Sequence, residues 1–176
     1  MSKEKSGMLA SLVVLVIGVV FISCCVEEKK SPTESPQQLK YPDKDTYIEE
    51  VVTILDTIDE TLKIASQASI DLADDRITME EFKEMAVLGR RNLETARVNM
   101  NSIVPPSDVI LGKITFEDMH DNLMKGIEWY IKAFDEMIKY GDNGRISHIN
   151  KATNYIESGN AYINVVNSEL RIAQKK

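Results

Sequence analysis

The sequence predicts an all-α protein: an antiparallel up-down-up-down four-helix bundle behind an N-terminal signal or anchor segment and a flexible tether. Three observations lead to this prediction. Four stretches after residue 44 repeat apolar or small side chains at alternating intervals of three and four, the seam of a helix packed lengthwise against others. All five prolines lie outside these stretches. No segment shows the alternation typical of a strand.

The first two predicted helices form a hairpin. The first runs from Asp45 to Ala73, and the polar residues 74–76 interrupt it. Its seam is Ile48, Val51, Leu55, Ile58, Leu62, Ala65, Ser69 and Leu72. The second opens at Thr78, which has capping-box spacing to Glu81, and it stops before residues 105–106, a pair of prolines. Its seam is Phe82, Ala86, Gly89, Leu93, Ala96, Met100 and Ile103.

The third and fourth predicted helices form a second hairpin. Residues 107–114 are expected to be a loop or a short helical turn, and Thr115 is the predicted cap of a helix over 116–140. Gly141 is expected to take the left-handed conformation after that helix. The seam is Phe116, His120, Leu123, Ile127, Tyr130, Phe134 and Met137. The fourth helix spans 146–173, with the seam Ile149, Ala152, Ile156, Gly159, Ile163, Val166, Leu170 and Ala173.

The chain divides into three parts. Residues 1–23 are the signal or anchor, residues 24–43 are the tether, and residues 44–176 are the bundle. The tether is rich in Pro, Ser, Gln and charged residues, a composition that buries little apolar surface and is expected to stay flexible. Small residues on the second and fourth helices should let those helices pack closely.

The N-terminal segment resembles a prokaryotic lipoprotein signal. Lys3 and Lys5 precede an apolar run from Met8 to Ile22, and residues 21–24 read Phe-Ile-Ser-Cys, like a lipobox that ends in the modified cysteine. The resemblance implies lipid attachment at Cys24, with Cys25 as the alternative. The run is also long enough to be retained as a membrane helix. Both interpretations place the rest of the chain on the extracytoplasmic face of the cell membrane, because the basic flank stays inside.

Composition excludes several classes of function. The formal net charge is −7, which disfavours nucleic-acid binding, since phosphate recognition needs clustered Lys and Arg. The only cysteines are adjacent, so no disulfide framework is expected. No phosphate-binding loop, nucleophile elbow or zinc-protease motif is present, so the sequence predicts no enzyme and no cofactor. The expected partners are the membrane, through the N-terminal lipid or helix, and an envelope protein.

His120 is the polar residue on the seam of the third helix. Together with Glu117 it matches the Glu-x-x-His spacing of di-iron bundles, which places a carboxylate and an imidazole on one helix face. A di-iron site needs a second such motif, but His148 has Arg145 at that spacing and is predicted at the opposite end. A partly buried, hydrogen-bonded histidine is therefore favoured, and a bundle that binds metal or haem through His120 is the alternative.

A second resemblance concerns the folded region. The sequence Pro-Pro-Ser-Asp at 105–108, followed by His-Asp-Asn-Leu at 120–123, resembles a recurring pattern in uncharacterised helical lipoproteins of archaea and some bacteria. That resemblance implies no particular activity and no site residues. Trp129 lies off the seam and is expected to cover a groove between helices, with a role as an anchor for a partner as the alternative. The sequence thus predicts a membrane-tethered helical lipoprotein that is a non-catalytic binding or accessory module.

Overall fold

The computed structural model describes residues 43–107 and 112–173, and it confirms the predicted antiparallel bundle of four helices. The helices are α1 (Lys44–Ala73), α2 (Met79–Ser102), α3 (Phe116–Asn143) and α4 (Ile146–Ala173). The described residues contain no strand, and none of their helices is long and apolar enough to cross a bilayer. The predictions for Cys24, Cys25 and the tether fall outside the described residues.

Side-chain caps fix where the first hairpin begins and turns. The carboxylate of Asp43 accepts hydrogen bonds from the backbone N–H groups of Asp45 and Thr46 at 3.1 and 3.0 Å, so α1 starts slightly earlier than predicted. Thr78 and Glu81 form the predicted capping box at the start of α2, with the Thr78 N–H donating to the Glu81 carboxylate at 2.7 Å. Between the two helices, Asp75 takes a positive φ of 57°.

The limits of α3 confirm one expectation and correct another. Thr115 caps the helix as predicted, and Asp118 completes a capping box with it. The expected stop at Gly141 is wrong, because the helix continues to Asn143 and Gly144 is the left-handed residue, with φ 66°. Gly141 serves packing instead: a Cβ placed there would lie 2.5 Å from the Cβ of Lys83 on α2.

Helix α3 is the central element of the bundle. Close backbone approaches join the helices that follow one another in sequence, so α3 packs directly against both α2 and α4. It also reaches α1, because Tyr47 packs edge-on against Phe116 with ring centroids 5.3 Å apart. Large side chains of one helix lie over glycines of the next. Phe134 covers Gly89 on α2, and Tyr130 covers Gly159 on α4.

The buried residues follow the predicted seams on three helices. On α2, α3 and α4 nearly all of the predicted apolar seam residues whose side chains are described are buried, while Ile103 is half-buried. On α1 the prediction is partly wrong: Ile48, Leu55 and Leu72 are only half-buried, whereas Tyr47 and Ile54 are buried. An α-helix has 3.6 residues per turn, so a strict seven-residue pattern drifts around its surface, and neighbouring apolar positions take over.

The glycine contact at α2 gives a stability prediction. We expect Gly89→Ala to lower the free energy of unfolding by about 1–2 kcal/mol, because overpacking against a buried ring outweighs the higher helix propensity of alanine. Phe134 is 1% exposed, so its ring has no room to move away. Urea unfolding followed by circular dichroism measures the change.

The same substitution in a Phe134→Leu background is the matched control. With the ring removed, Gly89→Ala should become neutral or stabilising by up to about 1 kcal/mol, the propensity difference alone. An equal loss of stability in both backgrounds would show that the contact between Gly89 and Phe134 is not the cause.

Candidate functional site

His120 lies in the second turn of α3 and faces α1. Its Nδ1 is 3.3 Å from the hydroxyl of Tyr47, and the two rings stack with centroids 6.4 Å apart. Burial lowers the pKa of His120 and outweighs the nearby negative charge of Asp121, so the imidazole is neutral at neutral pH. Burial, with a contribution from Asp121, raises the pKa of Tyr47. The Tyr47 hydroxyl therefore keeps its proton and can donate a hydrogen bond to His120.

Glu117, the predicted companion of His120, lies in the first turn of α3 and is exposed to solvent. Within residues 43–107 and 112–173, no three side chains of the His, Cys, Asp or Glu types converge as metal ligands would. In these parts of the chain, no third side chain of these types therefore joins Glu117 and His120 as a metal ligand would. His148 lies at the other end of α3, where α4 begins.

Glu136 forms a buried polar cluster with His148 that the sequence interpretation missed. The side chain of Glu136 is 8% exposed and accepts two hydrogen bonds of 2.6 Å, one from Lys139 Nζ and one from His148 Nδ1. His148 Nε2 lies 3.4 Å from the side-chain amide of Asn143. The cluster joins the last turns of α3 to the first turn of α4, next to the connection at Gly144.

The cluster keeps Glu136 ionised despite its burial. Burial by itself raises the pKa of Glu136, but the hydrogen bonds from His148 and Lys139 and the positive charges of Lys139 and Lys151 outweigh it. The pKa of Glu136 therefore lies below its ordinary value. A carboxylate held in this way stabilises the folded state wherever it is charged.

A second buried polar contact lies near the middle of the bundle. The hydroxyl of the fully buried Tyr130 donates a hydrogen bond to the side-chain oxygen of Asn160 on α4 at 2.7 Å. Burial, then the negative charge of Asp59 on α1, raises the pKa of Tyr130, so the hydroxyl stays protonated. Asn160 is one of several asparagines on α4, and its side chain bonds to a residue of the same protein.

Two further polar contacts involve Glu169 and Arg97. Glu169 on α4 is 5% exposed and accepts the backbone N–H of Lys113 at 2.8 Å, which fastens the segment before α3 to the end of α4. Arg97 on α2 bonds Glu94 at 2.7 Å, while its buried Nε has no hydrogen-bond partner among the described residues. Glu169 thus joins two parts of the bundle, whereas the ion pair of Arg97 lies within one helix.

Trp129 covers the groove between α3 and α4, as the sequence favours. Its ring lies 5.5 Å from that of Tyr155, and Lys132 Nζ lies 4.1 Å from its centroid. Sequence reasoning found Trp129 but missed Glu136, because carboxylates at helical spacing are usually solvated. The available signal was that Glu136 lies between the seam residues Phe134 and Met137.

No protein-family model matches this chain, and no curated protein and no solved structure was found to be similar to it. The fold itself defines the class of protein: an all-α four-helix bundle.

The Glu136 cluster predicts how stability depends on pH. Because the folded-state pKa of Glu136 is lowered, its contribution is present above the unfolded pKa of about 4.3 and is lost as pH falls through the folded pKa. We expect Glu136→Gln to cost about 1–3 kcal/mol at pH 7. The difference from wild type should shrink steadily below about pH 5.

Glu128→Gln is the matched control, because Glu128 is an exposed carboxylate on the same helix. It should change stability by less than about 0.5 kcal/mol at pH 7. Urea unfolding of the three proteins between neutral and acidic pH makes the comparison. A constant difference between wild type and Glu136→Gln at every pH would contradict the assigned role of the Glu136 charge.

Proposed function

We propose that this protein is a non-catalytic binding or accessory module, held on the extracytoplasmic face of the cell membrane by its N-terminal segment. The observation that carries the proposal is the order of parts along the chain. A basic start, an apolar run and Cys24 precede a Pro- and Ser-containing tether, and a four-helix bundle with its own core follows. This order is typical of proteins that are exported and then kept at a membrane surface.

The engagement of its buried polar groups supports a non-catalytic role. A general acid or base must reach the proton that it transfers. Here His120 faces the hydroxyl of Tyr47, and Glu136 is bonded to both Lys139 and His148. These groups are used to hold helices together, which suits a module that acts through its surface.

The cysteines provide a direct test of the anchor. We expect the full chain, made in a prokaryotic host, to be recovered from membranes with Cys24 as the first residue and with the added mass of a lipid. Cys24→Ala should remain as the unprocessed precursor, whereas Cys25→Ala should be processed like wild type. Intact-mass analysis of the membrane fraction distinguishes these products.

Two other results would change the proposal. Chains that all begin at Met1 and stay in the membrane would mean that the segment is a retained helix. Wild-type protein found only in the cytoplasm would exclude the proposed location.

The binding role is tested on protein taken from its own membranes. We expect native mass spectrometry to show a stoichiometric companion, either an envelope protein or a small ligand, that remains bound to the His120→Ala variant. Stoichiometric metal or haem that is lost in His120→Ala would instead establish the cofactor-binding alternative.

A further inference from the structure

The outer surface of the α3–α4 hairpin differs in composition from the rest of this acidic chain. On each helix the residues of this surface recur at intervals of four and three, so that they lie along one side. On α3 they are Lys125, Trp129, Lys132, Glu136 and Lys139. On α4 they are Lys151, Tyr155, Ser158 and Tyr162. We call the seven lysine and aromatic residues of this set the lysine–aromatic face.

The two rows form one continuous surface. Trp129 of α3 and Tyr155 of α4 contact each other with ring centroids 5.5 Å apart, and Lys132 lies over the Trp129 ring. All four lysines are exposed, and all three aromatic rings are half-buried. The rings are therefore fixed in the groove while their outer edges remain accessible. Along α3 the face extends about 21 Å from Lys125 to Lys139.

Four carboxylates of α3 form a row of their own beside the lysine row, on its α2 side. Asp135 bonds Arg90 and Asp142 bonds Lys83, both on α2, at 2.6 and 2.9 Å. Asp121 and Glu128 occupy the same heptad position as that pair, so they border the face on its α2 side. The negative charge of the helix thus lies toward α2, and the lysines lie toward α4.

The carboxylates that do fall in line with the face are already engaged. Glu136 is buried and bonded to Lys139 and His148. At the two ends of the face, Asp118 belongs to the cap at Thr115, and Glu169 accepts the N–H of Lys113.

The other three lysines of the face form no ion pair with any residue that the structure describes. They are Lys125, Lys132 and Lys151. Lys132 nevertheless lies over the Trp129 ring, and the charge of Lys151 acts on Glu136. The face therefore presents positive charge that the surrounding described carboxylates do not neutralise through ion pairs.

We propose that the lysine–aromatic face docks the bundle side-on against anionic lipid headgroups. Trp and Tyr favour the boundary between water and hydrocarbon, and lysines close to a membrane attract anionic lipids. The side chains of lysine also let the charge reach the headgroups while the stem lies along apolar surface. The combination on this face matches both properties of a lipid surface.

The charge distribution of the bundle favours this orientation. The inference rests on the proposed function, because the tether at residues 24–43 keeps the membrane within reach.

The side of the bundle formed by α1 and α2 lies opposite the face, and α1 exposes a row of carboxylates to solvent. They are Asp45, Glu49, Glu50, Asp56 and Glu60. An anionic membrane repels these carboxylates of α1 and attracts the lysines of the face, so the bundle lies with α3 and α4 against the membrane.

Trp129 makes the proposal testable, since it is the only tryptophan in the chain. The full chain is mixed with excess phosphatidylcholine vesicles, with and without phosphatidylglycerol. Flotation with the neutral vesicles reports the N-terminal anchor alone. With anionic vesicles, we expect Trp129 emission to shift to shorter wavelength and to be quenched by brominated lipid. At high salt the emission spectrum should return to that of the protein without vesicles.

Two charge-matched variants isolate the face. The first variant combines Lys125→Gln, Lys132→Gln and Lys151→Gln. It should lower the ratio of docked to undocked protein, as reported by Trp129 emission, by about a hundredfold. Lys44→Gln, Lys63→Gln and Arg91→Gln together remove the same charge from α1 and α2 and should leave the Trp129 response unchanged. Circular dichroism checks that both variants are folded.

The outcomes separate the two proposals. Wild type that floats with neutral vesicles but shows no Trp129 response to anionic ones would overturn side-on docking and leave the anchor intact. A Trp129 response to anionic vesicles without flotation on neutral ones would support docking and contradict the anchor. A Trp129 response to an acidic polysaccharide such as polygalacturonate but not to vesicles would show that the lipid assignment is wrong. The lipid assignment is also wrong if the variant that lacks Lys125, Lys132 and Lys151 responds like wild type.

Discussion

The fit of large α3 side chains over glycines of the neighbouring helices is the contact on which the arrangement depends. Phe134 lies on Gly89, and Tyr130 lies on Gly159, so the backbones of α2 and α4 come close to α3 from two sides. A third contact runs in the opposite direction, since a Cβ at Gly126 would lie 2.7 Å from Ile163 Cδ1. Close-packed interiors respond strongly to a single added carbon. These glycines therefore set the distance between helices and the register in which they pack.

The central position of α3 also explains where the polar groups are found. A helix in contact with three neighbours buries side chains that lie beyond a simple seam, and some of these are polar. Each such group needs a partner, because an unpaired polar group in the interior is costly. Tyr130 finds Asn160, and Glu136 finds His148 and Lys139. The polar contacts therefore follow from the packing, and they make one pairing of helices more favourable than its alternatives.

The same helix separates charge on the outside of the molecule. Its two heptad rows of opposite sign, the lysines and the carboxylates, are adjacent along the surface. The basic residues of α2 take up part of the carboxylate row, as in the pair of Arg90 and Asp135. Helix α4 offers mainly neutral or basic side chains to the lysine row. A bundle with a net charge of −7 therefore has one face of the opposite sign, and this face is a property of the folded hairpin.

The sequence by itself determined the number of helices, nearly all of their limits and most of the core, because these depend on local spacing, prolines and caps such as Thr78 and Thr115. Tertiary structure decided the rest. Gly141 looked like a helix end, but it is helical and packs against Lys83. Glu136 looked solvated, but it is buried and bonded to His148 of α4. His120 was recognised as a core histidine, yet its partner, Tyr47, comes from a helix 73 residues away in sequence. Local patterns show which side of a helix is buried, whereas the identity of the side chain opposite depends on how the helices are brought together.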